Sequence, residues 1–88
     1  MQNNPTSVPT ALRCWIQDRR VHLELSDQRT VAFPANKYRR LAQASTAELA
    51  SVTVRLGGSA LRWESLDEDI LVDDAAQGRF PRHRPERG

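Results

Sequence analysis

The chain has a single cysteine, two histidines and four glycines in 88 residues. One cysteine cannot close a disulfide within the chain, so Cys14 gives no sign of an oxidising compartment. Two histidines and one inward cysteine do not make a zinc site. Neither His22 nor His83 is spaced against Cys14 or a serine as a nucleophile dyad would be. No run approaches the roughly 18 apolar residues of a membrane span. The first ten residues, Met1–Thr10, lack the charged-then-apolar layout of a signal peptide. Together these absences point to a cytoplasmic protein with no cofactor and no membrane partner. A chain this short buries only about 60–65% of its unfolded surface, which leaves little interior for a deep active site.

What is present begins with charge. Thirteen basic and eleven acidic residues give a net charge of +2. Residues 79–88 hold four arginines against Glu86, a net +3, which leaves 1–78 with nine basic and ten acidic side chains, or −1. The basicity therefore lies in a Pro- and Arg-rich terminal stretch of disordered composition. The expected organisation is a flexible segment over 1–10, one domain over 11–78 and a disordered basic tail over 79–88. There is no internal repeat.

The period of the apolar residues sets the expected elements. Leu12, Cys14 and Ile16 alternate with polar positions, although Trp15 falls on the nominally polar face. Val21, Leu23 and Leu25 alternate with His22 and Glu24, and Thr30–Phe33 resumes the pattern until Pro34 removes a backbone donor. Short links between them predict a three-strand antiparallel meander. The period then lengthens. Asn36 is placed to cap a helix from Lys37, with Tyr38, Leu41 and Ala42 on its apolar face. Ser45 and Glu48 fit a capping box for a second helix near 46–51. Val52, Val54 and Leu56 return to period two, Gly57-Gly58-Ser59 supplies a turn, and Ala60–Trp63 runs back. Ile70 and Val72 predict another strand, and Asp73 a cap for a last helical turn ending at Gly78. The expected class is α+β with a small antiparallel sheet.

The segments Pro34–Glu48, Leu56-Gly-Gly58, Leu61-Arg-Trp63 and Leu66-Asp-Glu-Asp-Ile70, closing on Gly78, resemble a bacterial family catalogued as domain of unknown function 2442. The resemblance spans roughly residues 12–78. It implies an α+β domain with no established activity. Relatives are often encoded beside another small protein, in an arrangement like that of a toxin–antitoxin pair. Some relatives carry an added helix-turn-helix domain, which the ten residues after Gly78 do not supply. Three departures stand out: Arg62 where His is common, Glu64 where Pro is common, and Asp74-Ala75-Ala76 where a more apolar run is common.

Candidate functional residues fall into two sets. Trp15, His22 and Glu24 on an outer sheet face, with the acidic run Asp67, Glu68 and Asp69, suit a small protein partner. Arg19, Arg20, Lys37, Arg39 and Arg40, joined by Arg82 and Arg84 of the tail, suit nucleic acid instead. The acidic run continues to Asp73 and Asp74, but it lacks the glycine and terminal bidentate Glu of a calcium loop. No catalytic residue and no metal ligand is expected. Trp63 is expected in the core and Trp15 on the surface. An uncovered edge strand in so small a sheet also leaves room for a homodimer.

Overall fold

The computed structural model describes residues 8–81. Strands β1 (Ala11–Gln17), β2 (Arg20–Leu25) and β3 (Thr30–Pro34) form the expected antiparallel meander. Val21, Leu23 and Leu25 face inward and are fully buried. β1 departs from simple alternation. Ala11 pairs with Leu25 but Arg13 pairs with Glu24, so Leu12 is the extra residue of a bulge and stands 58% exposed. The expected inward place of Leu12 goes to Ala11. The backbone at Ala11 lies close against Gly58: a Cβ built on Gly58 would stand 2.7 Å from the Ala11 carbonyl oxygen, so only glycine fits there.

Two non-glycine residues, Asp18 and Arg19, turn the chain from β1 into β2 at φ +53° and +56°. Two consecutive positive φ values are the mark of a two-residue hairpin turn that usually recruits Gly or Asn. The Ser26–Arg29 turn is tied at both ends. Ser26 N–H donates to the Thr10 carbonyl at 2.8 Å, and the Arg29 amide donates to the Asp27 carboxylate at 3.1 Å. That amide bond, ahead of the opposing effect of desolvation, holds the Asp27 carboxyl below its usual range.

After Pro34 the chain forms a 3-10 turn (Ala35–Lys37), then α1 (Arg39–Ala42) and α2 (Thr46–Ala50). Asn36 does not cap a helix. Tyr38 adopts an extended conformation (φ −124°, ψ 128°) that splits the expected helix in two, and no side chain caps α1. The extended backbone lets the buried Tyr38 ring pack against Phe33 and Phe80, at centroid distances of 5.7 and 5.9 Å. The second cap forms as read: Ser45 Oγ accepts from the Glu48 amide at 3.0 Å, and the Glu48 carboxylate accepts from the Ser45 amide at 2.8 Å.

A second antiparallel sheet follows, with β4 (Thr53–Arg55), β5 (Ala60–Trp63) and β6 (Glu68–Leu71) in that order. β4 is a short edge strand, and its alternation does not mark a buried face: Val54 is exposed and Leu56, at φ +54°, is 77% exposed. Val72 is buried but opens α3 (Val72–Ala76) rather than extending the strand. Asp73 lies inside the first turn of α3 and does not cap it. Gly78, at φ +75°, ends the helix. Its amide donates to Ala75 O at 3.1 Å and the Arg79 amide to Asp74 O at 2.8 Å, the paired bonds of a Schellman motif.

The two sheets meet where β1 lies against β4 and the turn at 56–58, with α2 packed on β1. One core joins Leu23 and Leu25 of the first sheet to Leu61, Trp63 and Ile70 of the second, with Leu41 and Leu49 from the helices. Trp63 is fully buried, and its indole N–H donates to Leu49 O at 2.9 Å, tying β5 to α2. Phe80 packs on this core, two residues past the boundary expected at residue 78. Among the described residues no helix is long and apolar enough to cross a membrane.

Candidate interaction surfaces

The outer face of the first sheet is built by period two and by register. Arg13 and Trp15 are two apart on β1 and point the same way, and each stands opposite a β2 residue: Arg13 by Glu24 and Trp15 by His22. The Trp15 and His22 rings stack at 5.4 Å with an interplanar angle of 13°. The Arg13 guanidinium carbon lies 4.7 Å from the Trp15 ring centroid, while Arg13 Nε bonds Glu24 Oε1 at 2.9 Å. Four side chains thus contact one another in a row on the outer face of the sheet. Small residues continue the rows, with Ala32 opposite His22 and Thr30 opposite Glu24. The structure brings Trp15, His22 and Glu24 together and adds Arg13, which the sequence reading missed. The alternation of β1 puts Arg13 on the same outward face as Trp15, but only the cross-strand register shows it as a partner of Glu24.

The acidic run is less free than its composition suggests. Arg62 on β5 bonds Glu64 at 2.9 Å, Asp69 at 2.8 Å and Asp67 at 3.1 Å through three different nitrogens. The cross-strand register places Arg62 opposite Asp69. Glu64 is held below the usual carboxylate range by its bond to Arg62. Arg40 donates to the Asp67 backbone carbonyl, and Arg79 bridges Asp73 at 2.9 Å and Asp74 at 3.1 Å. Of the five carboxylates between 67 and 74, only Glu68 has no cation in ion-pair reach among the described residues. Partial burial pushes its carboxyl up. Among those residues no three His, Cys, Asp or Glu side chains are placed to hold a metal ion.

Cys14 and His22 face opposite sides of the first sheet, because Cys14 pairs with Leu23 and Trp15 with His22. Burial pushes the Cys14 thiol up to about 12, so it stays protonated and unreactive near neutral pH.

The basic residues divide. One Arg19 nitrogen donates to the carbonyls of Leu41, Ala42 and Ala44 at 3.4, 3.3 and 3.0 Å, so it closes the end of α1. Arg40 turns toward Asp67. Arg20, Lys37 and Arg39 are exposed and make no ion pair among the described residues. The Lys37 ammonium lies 5.6 Å from the Phe80 ring centroid. Arg82 and Arg84 lie outside the described residues.

A solved structure of a protein of unknown function from Rhodospirillum rubrum is similar to this chain, with a TM-score of 0.79 and 29% identity over 88% of this chain and 95% of that one. The solution structure of an uncharacterised protein from Chromobacterium violaceum shares the fold, with a TM-score of 0.70 at 17% identity over 84% of this chain and 70% of that one. No curated protein matches. The model of a family described as proteins of unknown function, DUF2442, matches residues 15–75. With well over half of its length matched, the chain belongs to the DUF2442 family.

Proposed function

We propose that this chain is a non-catalytic protein-interaction module that engages a small protein partner, in an antitoxin-like role, through the outer face of its first sheet. The observation that carries this reading is the Trp15–His22 stack with the Arg13–Glu24 pair beside it. Aromatic and arginine side chains supply most of the energy at protein interfaces. Here they already contact one another, so binding forfeits less side-chain entropy than it would for four free rotors. The groups most able to do proton chemistry sit badly for it: His22 stands on the outer face, and the half-buried Cys14 thiol, its pKa pushed up, lies on the other side. The edge at Asp67, Glu68 and Asp69 serves as a secondary contact, with Glu68 its one uncommitted carboxylate. The antitoxin-like role rests on the gene arrangement implied by the family.

The test is affinity for the small protein encoded beside this chain, by titration calorimetry. Trp15→Ala should weaken binding at least tenfold while changing stability by less than about 1 kcal/mol, as for a partly exposed site. A large loss of thermal stability with unchanged affinity would show that Trp15 serves the fold alone. Sedimentation of the chain by itself reads the other occupant of this face, a second copy.

A further inference from the structure

We infer that the chain carries a second, electrostatic site: a shelf of Arg20, Lys37 and Arg39, flanked by Arg19, that holds the phosphodiester backbone of a nucleic acid without reading its sequence. The shelf joins segments far apart in sequence. Ala35 N–H donates to Arg19 O at 2.9 Å, which locks the β1–β2 turn beside the 3-10 turn. Two open depressions result, sharing Asn36 and Ala42. Arg19 and Arg20 line one of them, Lys37, Arg39 and Gln43 the other.

Among the described residues, the distribution of ion pairs leaves three unpaired cations gathered in this one region, whereas Arg55 stands alone on β4. Most carboxylates elsewhere are taken: Glu24 by Arg13, Asp27 by Arg29, Glu64, Asp67 and Asp69 by Arg62, Asp73 and Asp74 by Arg79, while Glu48 serves its capping box and Glu68 stands unpaired. Residues 1–78 sum to −1, yet the cations Arg20, Lys37 and Arg39 gather here without ion pairs; Asp18 is the one acidic residue lining the two depressions, and Asp67, Glu68 and Asp69 border Arg39 on its other side. Guanidinium forks and the side-chain amides of Asn36 and Gln43 are all donors to phosphate oxygens. A shallow open form suits a strand laid across it better than an enclosed small molecule. No aromatic lines either depression, so there is no platform for stacking bases. The lining also lacks the apolar centre that a folded protein partner would need. Backbone contact without sequence preference is what remains. Pro81 forms part of the rim, and in the sequence it is followed by Arg82, Arg84 and Arg87.

The test uses the full chain and labelled single-stranded RNA, single-stranded DNA and duplex DNA of about 20 units, with anisotropy read from about 50 to 200 mM salt. The three arms distinguish which nucleic acid is taken. The shelf alone, covering about three phosphates, should give a log–log salt slope near −2 on a single strand, at roughly 0.7 per phosphate. Arg20→Ala with Arg39→Ala should lower the slope by more than one unit and the low-salt affinity about tenfold. Arg20→Lys with Arg39→Lys should restore most of both. Lys37→Glu gives an independent reading should the double variant fold poorly. Replacing Arg82, Arg84 and Arg87 by alanine should leave the shelf's share intact. No retention of any nucleic acid at low salt would overturn the inference. Binding that ignores the shelf variants, or that polyglutamate displaces as well as nucleic acid does at equal charge, would overturn it too.

Discussion

At the scale of single residues, Gly57 and Gly58 are chain neighbours with positive φ, at +64° and +95°, yet a methyl group would meet different surroundings at each. Around Gly57 nothing lies within 4 Å, whereas at Gly58 the Ala11 carbonyl oxygen stands 2.7 Å from the added carbon. Gly57→Ala should therefore cost only the left-handed penalty, about 1 kcal/mol. Gly58→Ala should cost at least twice that, because backbone rather than a mobile side chain must give way. Urea titration of both variants checks this, and equal losses would contradict it. Glu68 supplies a pH prediction. Burial raises its folded pKa above the unfolded value, so the fold binds this proton more tightly than the unfolded chain does. Its contribution is most favourable at low pH and is withdrawn as pH rises through the carboxylate range toward the folded pKa. Glu68→Gln should thus gain stability over the parent at neutral pH, with the gain vanishing as pH falls toward about 3. Melting curves across that range decide it. Period two was enough to place Trp15, His22 and Glu24 on one face. The role of Arg62 was not legible, because it depends on the register of β5 against β6 and no local pattern encodes that.

At the scale of elements, Arg19 and Arg20 are adjacent and chemically identical, and the sequence alone put them in one phosphate-binding set. The structure separates them. Arg19 satisfies three carbonyls at the end of a four-residue helix that has no side-chain cap of its own. Arg19→Ala should cost about 1–2 kcal/mol, a charged bond discounted for its exposure, while Arg20→Ala should stay within about 0.5 kcal/mol. Thermal unfolding of the two variants gives the comparison, and equal melting temperatures would remove the capping role. Caps show which part of this layer could be read in advance. Ser45 and Glu48 are three residues apart and satisfy each other locally, so the box was visible. Asn36 looked equally suitable, but its helix had to run through Tyr38, whose ring is drawn down by Phe33 and Phe80. Phe80 lies far along the chain, beyond any local window.

At the scale of the whole molecule, β3 and the Tyr38 turn are packed by a side chain from beyond the regular elements. Phe80 packs at 5.4 Å from Phe33 and closes an aromatic group with Tyr38. Composition alone placed it in a disordered tail, because one aromatic among arginines and prolines carries no periodic signal. Phe80→Ala should lower stability by about 1–2 kcal/mol, below the full cost of a completely buried ring since Phe80 is only partly covered. In a domain with so small a margin that is a visible fall in melting temperature, accompanied by loss of near-ultraviolet ellipticity from the ring cluster. The α+β class and the meander and hairpin were legible, since each is closed by neighbours in sequence, whereas one small sheet was expected and the strands divide into two. The Ala11–Gly58 seam between the sheets was not, because it rests on a bulge and a close backbone approach.

The anchoring of Thr10 and Phe80 also fixes the geometry of exit. Thr10 is bonded to Ser26, near the Leu25 end of β2, while Pro81 borders Asn36 and Lys37, near the Arg20 end. A peptide bridge from Pro81 back to Thr10 would have to travel the length of that strand, about 17 Å at 3.4 Å per residue step. A bond directly from Pro81 to Thr10 is therefore too short, and a circular permutant of this domain needs at least about five linking residues to cover the distance. Reporter groups attached beyond Thr10 and beyond Pro81 would start from opposite poles of the first sheet.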